Sequence, residues 1–542
     1  MMDRTEKIPF RHFGTMVDMS RNAVMNVSGV KKWIDVTSDL GYNTLMLYTE
    51  DTYEIADSPY FGYMRGRYSK AELKEIDAYA REKGMELIPC TQMLAHQTAV
   101  RRWPEFSPHF DTADIMLVGD EWVYQLIENM FQTLAECFTS RLVNVGMDEA
   151  HMLGRGRYYD EHGGENRFEI LLTHLQRVAE IGKKYGFRLQ IWSDMFFRLA
   201  AGGEYYVHNA KIDASVAEKI PDNVELAYWD YYSQDEKHYD AMMTAHERLC
   251  PGTWFAGGLW TWTGFAPHNG YSMRATKAAL KQCLKHGVQD VILTMWGDNG
   301  GECSRFALLP ALFYAAEVAK GHTNKAEIRE RFQAKYGISF DRFMLLDLPG
   351  TPGGGDRAVR DPEKYLLYND CLMGLMDSTL TGQENGQYQA CARKLRTLIH
   401  DGEWGWLFEP AWALCRVLGI KAELGAKTRQ AYREGDREAL GRLIGEYKAL
   451  LKALDVFYDA FRRQWYHENK AFGFEIQDIR LGGLSRRVKN SMERLQAYCD
   501  GRLDAIEELE ERQLDFRGNG EEFQKEPLYW NQWSSTVSPG IV

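Results

Sequence analysis

The 542-residue chain predicts an α/β fold: a TIM (β/α)8 barrel over residues 1–320, followed by an α-helical domain over 321–542. Three observations predict it. Short apolar runs of strand length alternate with amphipathic helical stretches from about residue 11 to 320, and eight of them can be counted. Beyond about 321 the strand-like runs disappear and long charged amphipathic stretches replace them. Polar residues gather where the apolar runs end. Doubly wound sheets alternate in the same way but rarely reach eight evenly spaced units, so the barrel is preferred.

In chain order the expected strands are HFGTMVD (12–18), NTLMLYT (43–49), MELIPCTQ (85–92), LVNVGMD (142–148), RLQIWSD (188–194), VELAYWD (224–230), TWFAGGLW (253–260) and DVILTMWG (290–297). Between them, segments such as KAELKEIDAYAREKG and RFEILLTHLQRVAEIGKKYG carry apolar residues near a 3.6 period and run out at glycine. The second half opens with a Gly-rich connection, PGTPGGGD (349–356). Two long helical stretches follow, DREALGRLIGEYKALLKALDVFYDAFRRQWYHE and SRRVKNSMERLQAYCDGRLDAIEELEERQ. Between them NKAFGFEIQDIRLGGL (469–484) is expected to interrupt the helices and offer a contact surface. The aromatic tail with Tyr529, Trp530 and Trp533 is expected to pack back on the fold.

Composition narrows the partners. Hydrophobic residues are 45% and charged residues 26% of the chain, the proportions of a soluble globular protein. The net charge is -12 with no basic cluster set against it, which argues against nucleic acid. No run reaches the roughly 18 to 20 apolar residues of a membrane span, and the start, MMDRTEKIPF, lacks the apolar core of a signal peptide. The 9 cysteines stand singly, which suits a reducing compartment. The cytoplasm is therefore the expected location, and the sequon at Asn26 is expected to stay unused.

A TIM barrel builds its site at the C-terminal ends of its strands. The second ends in Tyr48-Thr49-Glu50-Asp51, and the third gives Gln92 and then His96. The fourth gives Asp148-Glu149, the fifth Trp192 and Asp194, and the sixth Tyr228-Trp229-Asp230. The seventh gives Trp260 and Trp262, and the eighth Trp296-Gly297-Asp298 with Glu302 close behind. Any one acid here is more often a helix N-cap, and a lone His96 more often a structural residue. Together, acids and indoles around one mouth make a pocket that hydrogen-bonds hydroxyls and stacks on a ring, which is carbohydrate chemistry.

The adjacent pair Asp148-Glu149 is the sharpest signal, because neighbouring carboxylates repel and lose solvation near a core. The letters Asp148-Glu149-Ala150-His151 match a helicase signature, but the phosphate-cradling G-x-x-x-x-G-K-[S/T] loop that such enzymes need is not in the chain. Barrel metallohydrolases bring His-x-His and further His ligands, and only His96 is so placed. No metal or other cofactor is implied.

Taken motif by motif over residues about 11 to 320, the barrel resembles glycoside hydrolase family 20, the β-N-acetylhexosaminidases. Its Asp-Glu pair looks like Asp148-Glu149, its strand-six Tyr-x-Asp like Tyr228-Trp229-Asp230, and its strand-eight Trp-Gly-acid like Trp296-Gly297-Asp298. Thr49-Glu50-Asp51 and His96 are similar to its strand-two and strand-three motifs. There are departures. The family's strand-one Arg position looks like Phe13, with Arg11 nearby. The acid that steadies the His looks like Gln92, and the strand-eight acid is Asp. The small α/β domain that usually precedes the barrel is expected to be missing, since the first strand is expected almost at the start of the sequence. These mark a divergent branch with a helical C-terminal domain.

The resemblance implies an exo-acting hydrolase of terminal β-linked GlcNAc or GalNAc in which the 2-acetamido group serves as nucleophile. Asp148 would accept the acetamide N–H and stay ionised. Glu149 would be the general acid and then the base, kept protonated by repulsion and by burial among indoles. His96 would hydrogen-bond near Glu149, and Tyr228 would donate to the acetamide oxygen. Trp192, Trp260 and Trp296 would wall the pocket, with Trp262 competing for the place of Trp260. Glu50, Asp230 and Asp298 would bind ring hydroxyls. The partner is then a carbohydrate, and a homodimer through the helical half is compatible with this reading. The alternatives are a non-catalytic carbohydrate-binding barrel and another acetamido-sugar hydrolase.

Overall fold

The computed structural model describes residues 7–212, 214–355 and 357–540. Eight parallel strands close into a barrel in chain order: β1 His12–Asp18, β2 Thr44–Tyr48, β3 Glu86–Cys90, β4 Leu142–Asn144, β5 Arg188–Trp192, β6 Val224–Trp229, β7 Trp254–Gly258 and β8 Asp290–Met295. β8 closes on β1, with His12 opposite Asp290 and Val17 opposite Met295. Every expected run contains its strand. Every residue of β2, β7 and β8 is buried, because a parallel strand is covered by the barrel interior on one face and by helices on the other.

Helix starts follow local chemistry. Ser69 and Glu72 form a capping box ahead of Lys70–Glu82, and Asn166 caps Arg167–Lys184. Leu73, Ile76 and Ala80 of the first helix, and Leu171, Leu175 and Val178 of the second, are their buried faces. The alternation thins after β5, where two short helices, Asp194–Ala200 and Ala214–Glu218, stand in place of one long one. Leu309–Ala319 completes the ring and carries Pro310 in its first turn, where the missing N–H costs nothing.

The strand ends are strained where the site forms. After β4 the chain passes through left-handed backbone at Gly146 (φ 73°), Met147 (φ 67°) and Glu149 (φ 52°). A Cβ at Gly146 would lie 1.9 Å from Gln92 Oε1 and would have to displace that side chain. Glu50 (φ 45°), His96 (φ 56°) and Asn299 (φ 52°) sit in the same region of backbone after β2, β3 and β8. Each such non-glycine residue costs on the order of 1–3 kcal/mol and persists only where its surroundings dictate it.

Beyond Ala319 no further strand forms among the described residues. The helices Gly405–Lys421, Arg437–Glu468 and Phe474–Cys499 pack together in the C-terminal half. The segment 469–484 breaks the helices only over its first residues. Gly473 turns the chain with φ 90°, and the next helix then runs straight through Gly482 and Gly483. That turn is a contact with the barrel: the Lys470 N–H donates to the Val24 carbonyl at 2.8 Å, and Lys470 Nζ reaches Glu72 at 2.9 Å. Arg480 and Lys364, from two helices of the C-terminal half, converge on buried Glu302 just after β8. No helix among the described residues is long and apolar enough to cross a membrane.

Candidate active site

An open cavity of about 460 Å³ lies at the C-terminal ends of the strands, walled by Arg21, Tyr48, His96, Asp148, Glu149, Trp229, Tyr231, Tyr232, Trp262, Trp296 and Asp298. The adjacent carboxylates of β4 diverge within it. Asp148 accepts from Gln92 Nε2 at 2.6 Å and lies 3.2 Å from His96 Nε2. Gln92 is held in turn by the Met147 N–H, which donates to its Oε1 at 3.1 Å. Burial opposes the charge on Asp148, yet the His96 charge beside it and the hydrogen bond from Gln92 hold its carboxyl below the usual range. His96 is desolvated too, but Asp148 and Glu50 raise it to about 9, so it is an imidazolium at neutral pH.

Glu149 points the other way. Its side chain is 38% exposed against 10% for Asp148. Its backbone N–H donates to Asp194 Oδ2 at 3.0 Å, and its carboxylate lies 3.4 Å from Arg198 Nη2 and 3.8 Å from His96 Nε2. Arg198 is anchored on Asp194 at 2.9 Å. Burial and the charge of Asp148 push the Asp194 carboxyl up to about 7, against the pull of the Glu149 N–H and Arg198. Two cations therefore flank Glu149, where the sequence led to an expectation of indoles.

One end of the cavity is built from residues that end or follow β1, β2 and β8. Arg21 Nη2 pairs with Glu50 at 3.1 Å, and the Tyr48 hydroxyl donates to Glu50 at 3.1 Å. Desolvation raises the buried Glu50 carboxyl while Arg21 opposes it. Asp298 opens onto the cavity but lies deep among protein atoms, and that burial lifts its carboxyl to about 6 despite Arg21. On the aromatic wall Trp296 Nε1 donates to the Tyr231 hydroxyl at 3.0 Å. The Trp229 indole N–H and Arg21 Nε are buried with no protein partner. A buried donor left unpaired costs about 1–3 kcal/mol, which a ligand oxygen would relieve.

Residues 10–248 match the glycosyl hydrolase family 20 catalytic domain, and residues 341–527 match the glycoside hydrolase 20C C-terminal domain. The chain belongs to glycoside hydrolase family 20. It is similar to hexosaminidase D of Bos taurus, at 24% identity over 261 residues, 44% of this chain and 67% of that protein. Against hexosaminidase D of Homo sapiens the identity is 24% over 269 residues, 45% of this chain and 50% of that one. The chain thus spans about two thirds of the bovine relative and half of the human one. Among solved structures it is similar to the family 20 β-N-acetylhexosaminidase of Streptomyces coelicolor, at 18% identity and a TM-score of 0.44, covering 60% of this chain and 68% of that one.

As a family 20 barrel, the chain brings together six of the ten residues singled out in its sequence. His96, Asp148, Glu149, Trp296 and Asp298 line the cavity, and Glu50 pairs with Arg21 beside them. Four stand back from it. Tyr228 is a correction: its ring stacks on His246 at 4.4 Å in the helical layer and its hydroxyl donates to Asp230 at 2.7 Å. Asp230 is another, since its carboxylate already meets Tyr228, the Tyr232 N–H at 3.2 Å and His238 Nε2 at 2.6 Å. Trp260 stacks at 4.1 Å on Trp262, which is the one that faces the cavity, and donates its indole N–H to the Tyr231 carbonyl. Trp192 is fully buried, 6.2 Å from the Trp296 ring.

The reason at β6 is parity. Side chains alternate faces along a strand, so Trp229 and Tyr231 share the cavity face while 228 and 230 take the other. Arg21 was missed because it follows Asp18 at the end of β1 instead of preceding it; an arginine just past a strand's C-terminal end was the available signal. Among the described residues no group of three or more His, Cys, Asp or Glu is arranged to hold a metal ion.

Proposed function

We propose that the chain is an exo-acting β-N-acetylhexosaminidase that removes terminal non-reducing β-linked GlcNAc or GalNAc with retention, through an oxazolinium intermediate. The observation that carries this reading is the opposite setting of two adjacent carboxyls. Asp148 is enclosed and held ionised by His96 and Gln92, while Glu149 stands on the open side of the cavity.

In the first step the sugar's 2-acetamido carbonyl oxygen attacks its own anomeric carbon. Glu149 gives its proton to the glycosidic oxygen, the C1–O bond breaks, and the leaving group departs as an alcohol. Asp148 accepts the acetamide N–H and balances the positive charge that develops on the ring. Glu149 then takes a proton from water as that water attacks C1, which reopens the oxazolinium and restores the acetamide. Tyr231, in place of Tyr228, donates to the acetamide oxygen and fixes the line of attack; its hydroxyl already accepts the Trp296 N–H, which leaves its own proton for the cavity. Arg21, Glu50 and Asp298 hold ring hydroxyls, and Trp262 and Trp296 wall the ring. Arg198 and Asp194 keep Glu149 in its strained conformation.

The test is the release of nitrophenol from four β-glycosides: GlcNAc, GalNAc, glucose and galactose. Cleavage of the two acetamido sugars alone is expected. Comparable cleavage of glucose would require an enzyme nucleophile and discard the scheme, and no cleavage would favour a carbohydrate-binding barrel. A cytoplasmic location and a homodimer through the helical half belong to the same reading, and are checked by cell fractionation and light scattering.

A further inference from the structure

The C-terminal tail reaches the mouth of the barrel from the helical half. The Leu528 carbonyl accepts from the Asp361 N–H at 3.2 Å. Asn531 donates to the carbonyl of cavity-lining Trp262 at 3.3 Å, and its own carbonyl accepts from the Asn299 side chain. Trp533 covers the Arg480 guanidinium at 5.1 Å, and that guanidinium donates to the Asn299 carbonyl at 2.8 Å. Tyr529 and Trp530 are therefore pinned between anchors on the two halves of the molecule. Trp530 turns onto Phe516, with ring centroids 5.0 Å apart. Tyr529 keeps 45% of its surface exposed.

Tyr232 is the neighbour that gives this exposure a meaning. It lines the cavity and is itself 51% exposed. Its ring packs edge-on against Trp260 at 5.4 Å, Trp260 stacks on Trp262, and the Trp262 carbonyl holds Asn531 two positions from Tyr529, which brings the tail to the rim that Tyr232 occupies. Depth decides which part of a substrate meets that rim. Glu50 and Asp148 are closed over, whereas the Glu149 side chain is open to solvent. The general acid has to touch the leaving oxygen, so the leaving group lies on the open side.

We propose that Tyr529, carried by the C-terminal tail, forms with Tyr232 the binding surface for the saccharide unit on the leaving-group side of the scissile bond. This rests on reading the cavity as a hexosaminidase pocket. Each phenol offers an apolar face to the C–H face of a sugar and a hydroxyl to its rim. The helical half thereby takes part in substrate recognition, and the anchoring pair Asn299 and Asn531 sets where Tyr529 stands.

The experiment is calorimetric titration of wild type, Tyr529→Ala and Tyr529→Phe with GlcNAc and with a thio-linked GlcNAc disaccharide that cannot be hydrolysed. Wild type should bind the disaccharide about ten-fold more tightly than the monosaccharide. Tyr529→Ala should keep its monosaccharide affinity and unfolding temperature and lose most of that ten-fold gain, and Tyr529→Phe should retain most of it. A Tyr529→Ala variant with the full gain would overturn the proposal. A wild type that binds neither sugar would instead overturn the hexosaminidase reading, and this surface with it.

Discussion

At each end of the barrel a histidine bridges two carboxylates, and the two clusters have different uses. On the floor His12 lies 2.7 Å from Asp290 and 3.2 Å from Glu86. At the mouth His96 lies 3.2 Å from Asp148 and 3.8 Å from Glu149. In both, carboxylates overcome desolvation and hold the imidazole up at about 9: Asp290 and Glu86 on the floor, Asp148 and Glu50 at the mouth. Charge and pKa alone do not tell the ends apart. On the floor Asp290 also accepts from Arg11 Nε at 2.8 Å, Glu86 from the Ser140 hydroxyl at 2.7 Å, and the His12 ring stacks on Trp254 at 4.7 Å. At the mouth, left-handed backbone at Glu50, His96, Met147 and Glu149 surrounds a cavity with unpaired buried donors. The floor spends its polar capacity on the fold, and the mouth keeps part of it for a visitor.

The largest expected effect separates the two ends outright. Glu149→Gln should lower kcat/KM toward alkyl N-acetylhexosaminides by about 10²–10⁴-fold with its unfolding temperature unchanged, since a positioned proton donor contributes that much. Glu86→Gln should stay within about two-fold in the same assay. Equal losses in the two variants would erase the distinction.

Asp148→Asn comes next, with turnover down by about 10²–10³-fold, the scale set by one electrostatic stabiliser in a preorganised site. Its second signature is a fall in the His96 titration midpoint from about 9, read by NMR, because Asp148 is the chief group raising it. An unmoved midpoint would mean that Glu50 holds His96 instead.

Gly146→Ala tests the strain. The new Cβ would push Gln92 away from Asp148 and sit in left-handed backbone. Stability should drop by about 1–3 kcal/mol in urea unfolding, with turnover falling as well. Unchanged kinetics would show that Gln92 does not position Asp148.

The smallest effect lies at the floor and depends on pH. The His12 pKa is raised from 6.5 to about 9 in the folded chain, so its contribution is fully present below pH 6.5 and lost as pH rises through 9. His12→Gln should flatten the wild-type fall in stability between these limits by about 1–2 kcal/mol, measured from urea midpoints, and leave kcat at pH 6 unchanged. A steeper fall in the variant would reverse the sign argued here.

The barrel was legible in the sequence because each parallel strand is buried on both faces and reads as an apolar run. Asp148, Glu149, His96, Trp296 and Asp298 were legible because strand ends mark the mouth. Tyr231 and Trp262 needed the parity of side chains beyond a strand's last residue, which a motif match does not count. Arg21 sits in a loop whose direction only the packing of β1 against β8 sets; there Asp18 accepts the Gly297 N–H at 2.8 Å. The place of Tyr529 depends on contacts between residues hundreds of positions apart, such as Asn299 with Asn531, which no local pattern encodes. The helix Phe474–Cys499 runs through a Gly-Gly pair because its neighbours hold it, a tertiary override of propensity.

The most direct test of the central claim, that the mouth carboxyls serve an acetamide nucleophile, is inhibition by a GlcNAc-derived thiazoline, a stable mimic of the oxazolinium ring. Wild type should bind it at least about a hundred-fold more tightly than GlcNAc, as intermediate mimics bind, and Asp148→Asn should lose most of that advantage. A wild type that cleaves β-N-acetylhexosaminides yet binds the thiazoline no better than GlcNAc would contradict the claim.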